Sequence, residues 1–207
     1  YRAWSAAADV VILNVLTLVG CLPVVTAGAS LTACARVAGE MVADDDPAVM
    51  STWWRSFRLN LRQSLAWWLP VLGLLVLGVW EYLVLFGSSS GDRHGTVNGA
   101  VSGLVPAGGV LLAAILIWLP ALAAFFDAPI TQHLSNAVRL TVGRLGITAL
   151  ALVIVAAPVI VFWALPAMRG AVIWFMVLIG PAFQIYLIAL LQRPTVVRLT
   201  ARAQRSS

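Results

Sequence analysis

Long apolar runs separated by short polar segments dominate the hydrophobic pattern of the chain. A helix needs about 20 apolar residues to cross the hydrocarbon layer of a membrane. Five windows are long enough: Val10–Ala27 with a small-residue extension to Ala38, Leu65–Phe86, Ala100–Phe126, Leu145–Leu165 and Ala171–Leu191. The pattern predicts an all-α polytopic membrane bundle of about five transmembrane helices, forming a single integral membrane domain over residues 1–207.

The first apolar window is interrupted at Pro23, Thr26, Gly28 and Ser30. Pro23 has no N–H group, so it removes a backbone hydrogen bond and frees carbonyls that Thr26 or a neighbouring helix can satisfy. The window is therefore predicted to be a broken helix. Such a break could bind a solute, but the small residues that follow it favour close helix packing, and we expect packing.

Two polar connectors have the pattern of amphipathic helices lying in the membrane interface. In the first, an apolar face adjoins the basic residues Arg55, Arg58 and Arg62. That face comprises Trp54, Phe57, Leu61 and Leu65. In the second, the apolar positions are Leu134, Val138, Val142 and Leu145. We predict two interfacial helices, each directly followed by a membrane span.

The two connectors also suggest an internal duplication. Each precedes two spans, and the second span of each set contains a proline-alanine step, at Pro120 and at Pro181. The predicted copies are residues 51–126 and 130–192, in parallel topology. Independent adaptation to the same membrane edge would produce the same pattern, so both interpretations remain open.

The charged residues indicate how the chain is oriented. Only 10% of the residues are charged, whereas soluble domains have about 25%. The net charge of +5 comes from arginines in the segments between apolar runs, where they set topology and contact anionic lipid; nucleic acid is not an expected partner. The positive-inside rule places the first loop (Gly39–Ser64), the third loop (Asp127–Arg144) and the C-terminus in the cytoplasm. Five spans would put the N-terminus outside, and a first segment that folds back would put it inside.

Candidate chemistry within the spans is sparse. Asn14, Glu81 and Gln184 are the polar residues that could form an intramembrane site. For Glu81 and Gln184, an interfacial position and a helix–helix hydrogen bond, respectively, are the alternatives that we favour. Neither a nucleotide-binding loop nor a zinc-protease or serine-hydrolase motif occurs, so no enzyme activity, metal or cofactor is expected.

Two elements of the sequence resemble the YesL-like bacterial membrane proteins, a family of unknown function. They are Leu22-Pro23-x-x-Thr26-x-Gly28 and the position of Asn60; the segments around "HLSNAVRL" and "GPAFQIYLIALLQR" are also similar. One departure is Ala29, where relatives often carry a second proline. The resemblance implies a small inner-membrane protein, often encoded beside carbohydrate importers of the ABC type, and it supplies no catalytic residues.

Two functions follow as expectations. The first is a non-enzymatic accessory protein of a carbohydrate ABC uptake system, with the lipid bilayer, the membrane subunits of the transporter or a second copy as partners. The second is a small-solute transporter or channel. The near absence of charge at mid-membrane positions favours the first, because coupled transporters usually place ionisable groups there.

Overall fold

The computed structural model describes residues 2–43, 47–87, 96–126 and 128–205, and nearly all of them are helical. The first four helices are α1 (Arg2–Cys21), α2 (Ala27–Val42), α3 (Val49–Gly87) and α4 (Thr96–Phe125). The last four are α5 (Ile130–Gly143), α6 (Leu145–Ala164), α7 (Arg169–Leu178) and α8 (Gly180–Arg205). The predicted all-α fold is thereby confirmed for the described part of the chain.

The first apolar window is broken, as predicted, and the break reverses the chain. A 3₁₀ turn at Val24–Thr26 separates α1 from α2. The two helices then lie side by side, and the Ser30 hydroxyl donates to the Thr17 carbonyl oxygen at 2.8 Å. The start of α1 and the end of α2 therefore lie at the same end of this hairpin. Val10–Ala27 is therefore not one continuous helix, because α1 ends at Cys21.

Helix α2 forms the centre of the bundle. Most of its 16 residues are buried, and it contacts α1, α3, α4 and α8. Alanine, glycine, serine and cysteine dominate its sequence, so neighbouring backbones can approach closely. A methyl group added at Gly28 would lie 2.7 Å from Cβ of Trp68, and one added at Gly39 would clash with the Phe125 ring. At these two positions, the absence of a side chain lets α2 pack closely on the Trp68 and Phe125 side chains.

The first connector is not a separate interfacial helix, contrary to the prediction. It is the N-terminal part of α3, which has 39 residues and is about 58 Å long. Because the hydrocarbon layer is only about 30 Å thick, this helix extends beyond it. The second connector does form its own helix, α5, which is separated from α6 by a break at Arg144. The difference arises because no residue between Trp53 and Leu65 interrupts helical geometry.

The predicted count of five spans is not confirmed by the described residues. Among the described residues, α3, α4 and α6 contain stretches long and apolar enough to cross a membrane. Helices α7 and α8 form a fourth candidate if they are counted as one span, bent by 72°. In the hairpin, Ala7–Cys21 of α1 is a shorter apolar helix, and α2 is not among the candidate spans.

Candidate functional site

An apolar cleft of about 810 Å³ lies between α2, α4, α6 and α8. Leu31, Leu116, Leu152 and Ile188 represent the walls that the four helices contribute. Three longer polar side chains, Gln184, Gln192 and Arg193, also line it, all on α8. The cleft is partly open to the outside of the bundle. It offers a predominantly apolar binding surface with a few polar groups on one wall, as ligand sites in proteins commonly do.

The two glutamines hold α8 to the opposite helices. Gln184 Nε2 donates to the Ile154 carbonyl oxygen on α6 at 2.8 Å, and Gln192 Nε2 donates to the Ile117 carbonyl oxygen on α4 at 2.9 Å. Pro158, four residues after Ile154, cannot donate the usual helical hydrogen bond to that carbonyl. Gln184 therefore replaces a backbone bond that the sequence of α6 leaves out.

Asn14 joins the two halves of the bent α7–α8 pair. Its Nδ2 group donates to the Val177 carbonyl oxygen at 2.8 Å, and its Oδ1 atom accepts from the Ala182 N–H at 3.1 Å. The last carbonyls of a helix and its first N–H groups have no partner within that helix. Asn14 is fully buried and supplies those partners at both sides of the break. Its amide is thus engaged in structure.

The residues at the first break are engaged in the same way. The Thr26 hydroxyl lies 2.8 Å from the Gly20 carbonyl oxygen and 2.9 Å from that of Pro23. On the neighbouring helix α3, Trp68 Nε1 donates to the Val24 carbonyl oxygen at 2.7 Å. Thr26 and an adjacent helix were the two partners expected for the carbonyls near Pro23, and both are present.

The three candidate residues of the intramembrane polar site are not brought together. Asn14 binds the α7–α8 break and Gln184 binds α6, whereas Glu81 lies in the C-terminal half of α3. That half is exposed on nearly every side within the described residues, as shown by Leu74, Val76 and Trp80. The structure therefore does not bring these three side chains together. The described residues also contain no group of three metal-ligating side chains.

The basic residues of α3 lie on an exposed face. Arg55, Arg58 and Arg62 are all exposed, and the guanidinium carbon of Arg58 lies 4.8 Å from the centre of the Trp54 ring. The face of α3 that packs inside the bundle comprises Trp53, Ser56, Ser64, Trp67 and Val71. Small polar residues form part of this face, where Ser64 Oγ lies 3.3 Å from Thr32 Oγ1.

The sequence analysis did not predict the cleft, and it did not identify Gln192 or Arg193 as candidate site residues. The signal that could have identified them is helical spacing. Gln184, Ile188 and Gln192 follow one another at intervals of four, so they lie on one face of α8. The other three walls come from separate segments of the chain, and no local pattern relates them.

Comparison with known proteins gives one match. Residues 10–82 match a family described as a protein of unknown function, DUF624. The matched stretch runs from α1 to α3 and includes Pro23, Thr26, Gly28 and Asn60, on which the YesL-like resemblance depends. No curated protein and no solved structure matches the chain.

Proposed function

We propose that this chain is a non-enzymatic, multi-pass membrane protein that acts by binding, as an accessory subunit of a carbohydrate ABC importer in a bacterial plasma membrane. The observation that carries the proposal is the use of buried polar side chains. Asn14, Ser30, Thr32, Gln184 and Gln192 all donate to backbone carbonyls of their own chain. Such groups stabilise a fixed bundle, whereas a transport pathway needs polar groups that face a solute.

The exposed apolar surface of α3 supports a binding role. In its C-terminal half, the described residues from Leu72 to Leu83 are exposed or half-buried, so this part of the helix makes few contacts with the rest of the chain. Gly73 and Gly78 lie there, and no atom lies within 4 Å of the point that a methyl side chain would occupy at either position. Neither glycine therefore packs against the part of the chain that the structure describes. Small residues on such a surface allow the close approach of a helix from another subunit.

The assignment to a carbohydrate importer comes from the YesL-like resemblance. Its two most specific elements, at Leu22–Gly28 and at Asn60, lie in the stretch that matches the family of unknown function. Relatives of that kind are often encoded beside importers of this class. The arrangement would place Arg55, Arg58 and Arg62 on the cytoplasmic side, in contact with anionic headgroups.

A photo-crosslinking amino acid at Val76 tests the proposal in native membranes. We expect an adduct with an integral membrane subunit of a carbohydrate importer, and reduced uptake of that carbohydrate in a deletion strain. The matched control is the same crosslinker at Val153, an exposed position on α6. Adducts with lipid alone at both positions, together with unchanged uptake in the deletion strain, would overturn the proposal.

A small-solute transporter is the second candidate, and the cleft between α2, α4, α6 and α8 is the observation in its favour. Its mostly apolar walls disfavour a polar solute, because such a solute would lose its hydration without full replacement of its hydrogen bonds. Flux measured in liposomes reconstituted with the full chain, and abolished by filling the cleft, would favour transport over the accessory role.

A further inference from the structure

The hairpin formed by α1 and α2 has arms too short to cross a membrane. On α1, the sequence has no charged residue from the position after Asp9 to Cys21, which is about 18 Å of helix. On α2, it has none from Ala27 to the position before Arg36, which is about 14 Å. The hydrocarbon layer is about 30 Å thick. Each uncharged arm therefore matches the thickness of about one leaflet.

The charged residues that bound the two arms lie at the open end of the hairpin, opposite the turn. The hydrogen bond from the Ser30 hydroxyl to the Thr17 carbonyl oxygen sets the antiparallel alignment of the arms. Asp9 is about 12 Å from this pair along α1, and Arg36 is about 9 Å from it along α2. Charged side chains are costly inside the hydrocarbon layer. The open end therefore lies at the polar boundary of the membrane.

Helix α3 lies beside the hairpin and shows how deep its turn is. The Trp68 indole donates to the Val24 carbonyl oxygen at 2.7 Å, so the turn lies at the level of Trp68. The sequence of α3 has no charged residue between Arg62 and Glu81, which are about 28 Å apart, close to the thickness of the hydrocarbon layer. Trp68 lies about 9 Å from Arg62 and about 20 Å from Glu81. The turn therefore does not reach the middle of this layer.

The open end of the hairpin lies on the Arg62 side of the membrane. Gly28, close to the turn, packs on Trp68. Farther along α2, Thr32 Oγ1 lies 3.3 Å from Ser64 Oγ, which is nearer to Arg62 than Trp68 is. Helix α2 therefore runs from the turn toward the Arg62 end of α3. The depth obtained from α3 and the length of the uncharged arms agree.

The turn itself has the properties of a segment in contact with hydrocarbon. Its exposed side chains are apolar: Leu22 (78%), Val24 (58%) and Val25 (48%). Turns that face water are usually rich in polar residues, glycine and proline. In hydrocarbon, backbone polar groups need partners within the protein. The Thr26 N–H and hydroxyl both donate to the Pro23 carbonyl oxygen, and the indole of Trp68 supplies a further donor to the turn.

We propose that the α1–α2 hairpin is a re-entrant element that enters only one leaflet of the bilayer. Its turn lies about 9 Å below the Arg62 boundary, and its exposed apolar side chains contact the acyl chains of that leaflet. By the positive-inside rule this is the cytoplasmic leaflet. The protein occupies more area there than in the other leaflet, because α1 and α2 end within it and α3 continues. The proposal requires that the chain spans a membrane, and it does not depend on the importer.

Spin labels at single cysteines, in a chain without its two native cysteines and reconstituted in phosphatidylcholine vesicles, measure the depth of the turn. Relative collision rates with oxygen and with a polar nickel chelate report the depth of each label. The label of Leu22→Cys should be as deep as that of Leu69→Cys, an exposed position next to Trp68 on α3. It should be deeper than Leu59→Cys, an exposed position before Arg62, and shallower than Leu72→Cys, about 15 Å from Arg62.

Thiol labelling of the same Leu22→Cys chain shows on which side the turn lies. We expect no reaction with an impermeant maleimide on intact cells or on lysed cells, because the thiol lies in hydrocarbon. After unfolding in sodium dodecyl sulfate the thiol should react, which confirms that it is present and unmodified.

Four results would overturn the proposal. Reaction of Leu22→Cys on intact cells would mean that the hairpin crosses both leaflets. Reaction only after lysis would place the turn outside the membrane on the cytoplasmic side. A label as accessible to the nickel chelate as that of Leu59→Cys would place the turn in water, and one as deep as that of Leu72→Cys would place it at the middle of the bilayer. The adduct expected at Val76 depends on none of these results, so the two proposals can fail separately.

Discussion

Three polar residues within the apolar segments of this chain act on backbone groups that a proline or a helix end leaves without partners. Asn14 caps both sides of the α7–α8 break, and the Thr26 hydroxyl donates to carbonyl oxygens near Pro23. Gln184 donates to the carbonyl oxygen that Pro158 leaves without a helical donor. An unsatisfied carbonyl is costly in a membrane, where no water replaces the missing partner. Buried exceptions among the described residues include the indole N–H groups of Trp53 and Trp67 and the Thr195 hydroxyl.

The pairing of Gln184 with Pro158 gives a prediction at this scale. Gln184→Leu should destabilise the bundle by about 0.6 kcal/mol, because it removes the donor at 2.8 Å from the Ile154 carbonyl oxygen. In a Pro158→Ala background the helix supplies its own N–H group, so the same substitution should cost less. A double-mutant cycle, measured by unfolding in sodium dodecyl sulfate with circular dichroism, checks this coupling. Strictly additive effects would contradict it.

At the scale of the element, the neighbours of a helix determine its role more than the apolar character of its sequence does. Helix α6 is strongly apolar, yet many of its large side chains, including Val153, Ile160 and Trp163, are exposed at the bundle surface. Helix α2 is less apolar and is the most enclosed, because its small residues admit four neighbouring helices. In a membrane, apolar side chains can face lipid, so close backbone approach becomes a main source of helix association.

Glycine substitutions separate a packed helix from an exposed one. Gly28→Ala on α2 should destabilise the protein by about 1–3 kcal/mol, because the new methyl group would lie 2.7 Å from Cβ of Trp68, which is close to the backbone and cannot rotate away. Gly73→Ala on α3 is the matched control. No atom lies within 4 Å of its new methyl group, so stability should stay unchanged or rise by up to about 1 kcal/mol. The same unfolding assay measures both.

Equal stability of the two variants would mean that α2 and α3 are less closely packed than the structure shows. A larger loss of stability for Gly73→Ala than for Gly28→Ala would instead place the packed surface on the C-terminal half of α3. Gly78→Ala provides a second control, since that position is also open.

At the scale of the whole molecule, the reversal between α1 and α2 bears on the orientation of the chain. The start of α1 and the end of α2 lie at the same end of the hairpin. By the positive-inside rule, the arginines near the end of α2 and the start of α3 determine on which side of the membrane this end lies, and the start of α1 lies on the same side. The alternative with an external N-terminus required α1 and α2 to form one continuous span, and the structure does not contain that span.

Cysteine labelling on whole cells checks this topology. In a chain with Cys21 and Cys34 replaced, we expect Ala167→Cys, in the exposed turn between α6 and α7, to react with an impermeant maleimide on intact cells. Ala7→Cys and Leu59→Cys, both exposed, should react only after lysis. The reverse pattern would invert the orientation, and labelling of Ala7→Cys on intact cells alone would contradict the hairpin.

The sequence by itself determined the class of this protein: an all-α membrane bundle with a broken first segment, a basic first connector and small residues arranged for packing. These properties follow from local quantities, namely the length of an apolar run, the missing N–H group of a proline and helical spacing. The pattern also identified Asn14 and Gln184 as residues that need partners.

Only the tertiary structure decided which partners they have, that the chain reverses after Cys21, and that α2, α4, α6 and α8 enclose a cleft. A proline shows that a carbonyl is free, but the group that satisfies it can come from far along the sequence, as Gln184 does for Ile154. The apolar pattern likewise does not distinguish a helix facing lipid from one facing protein, because both environments favour the same side chains. The contacts between segments carry that information.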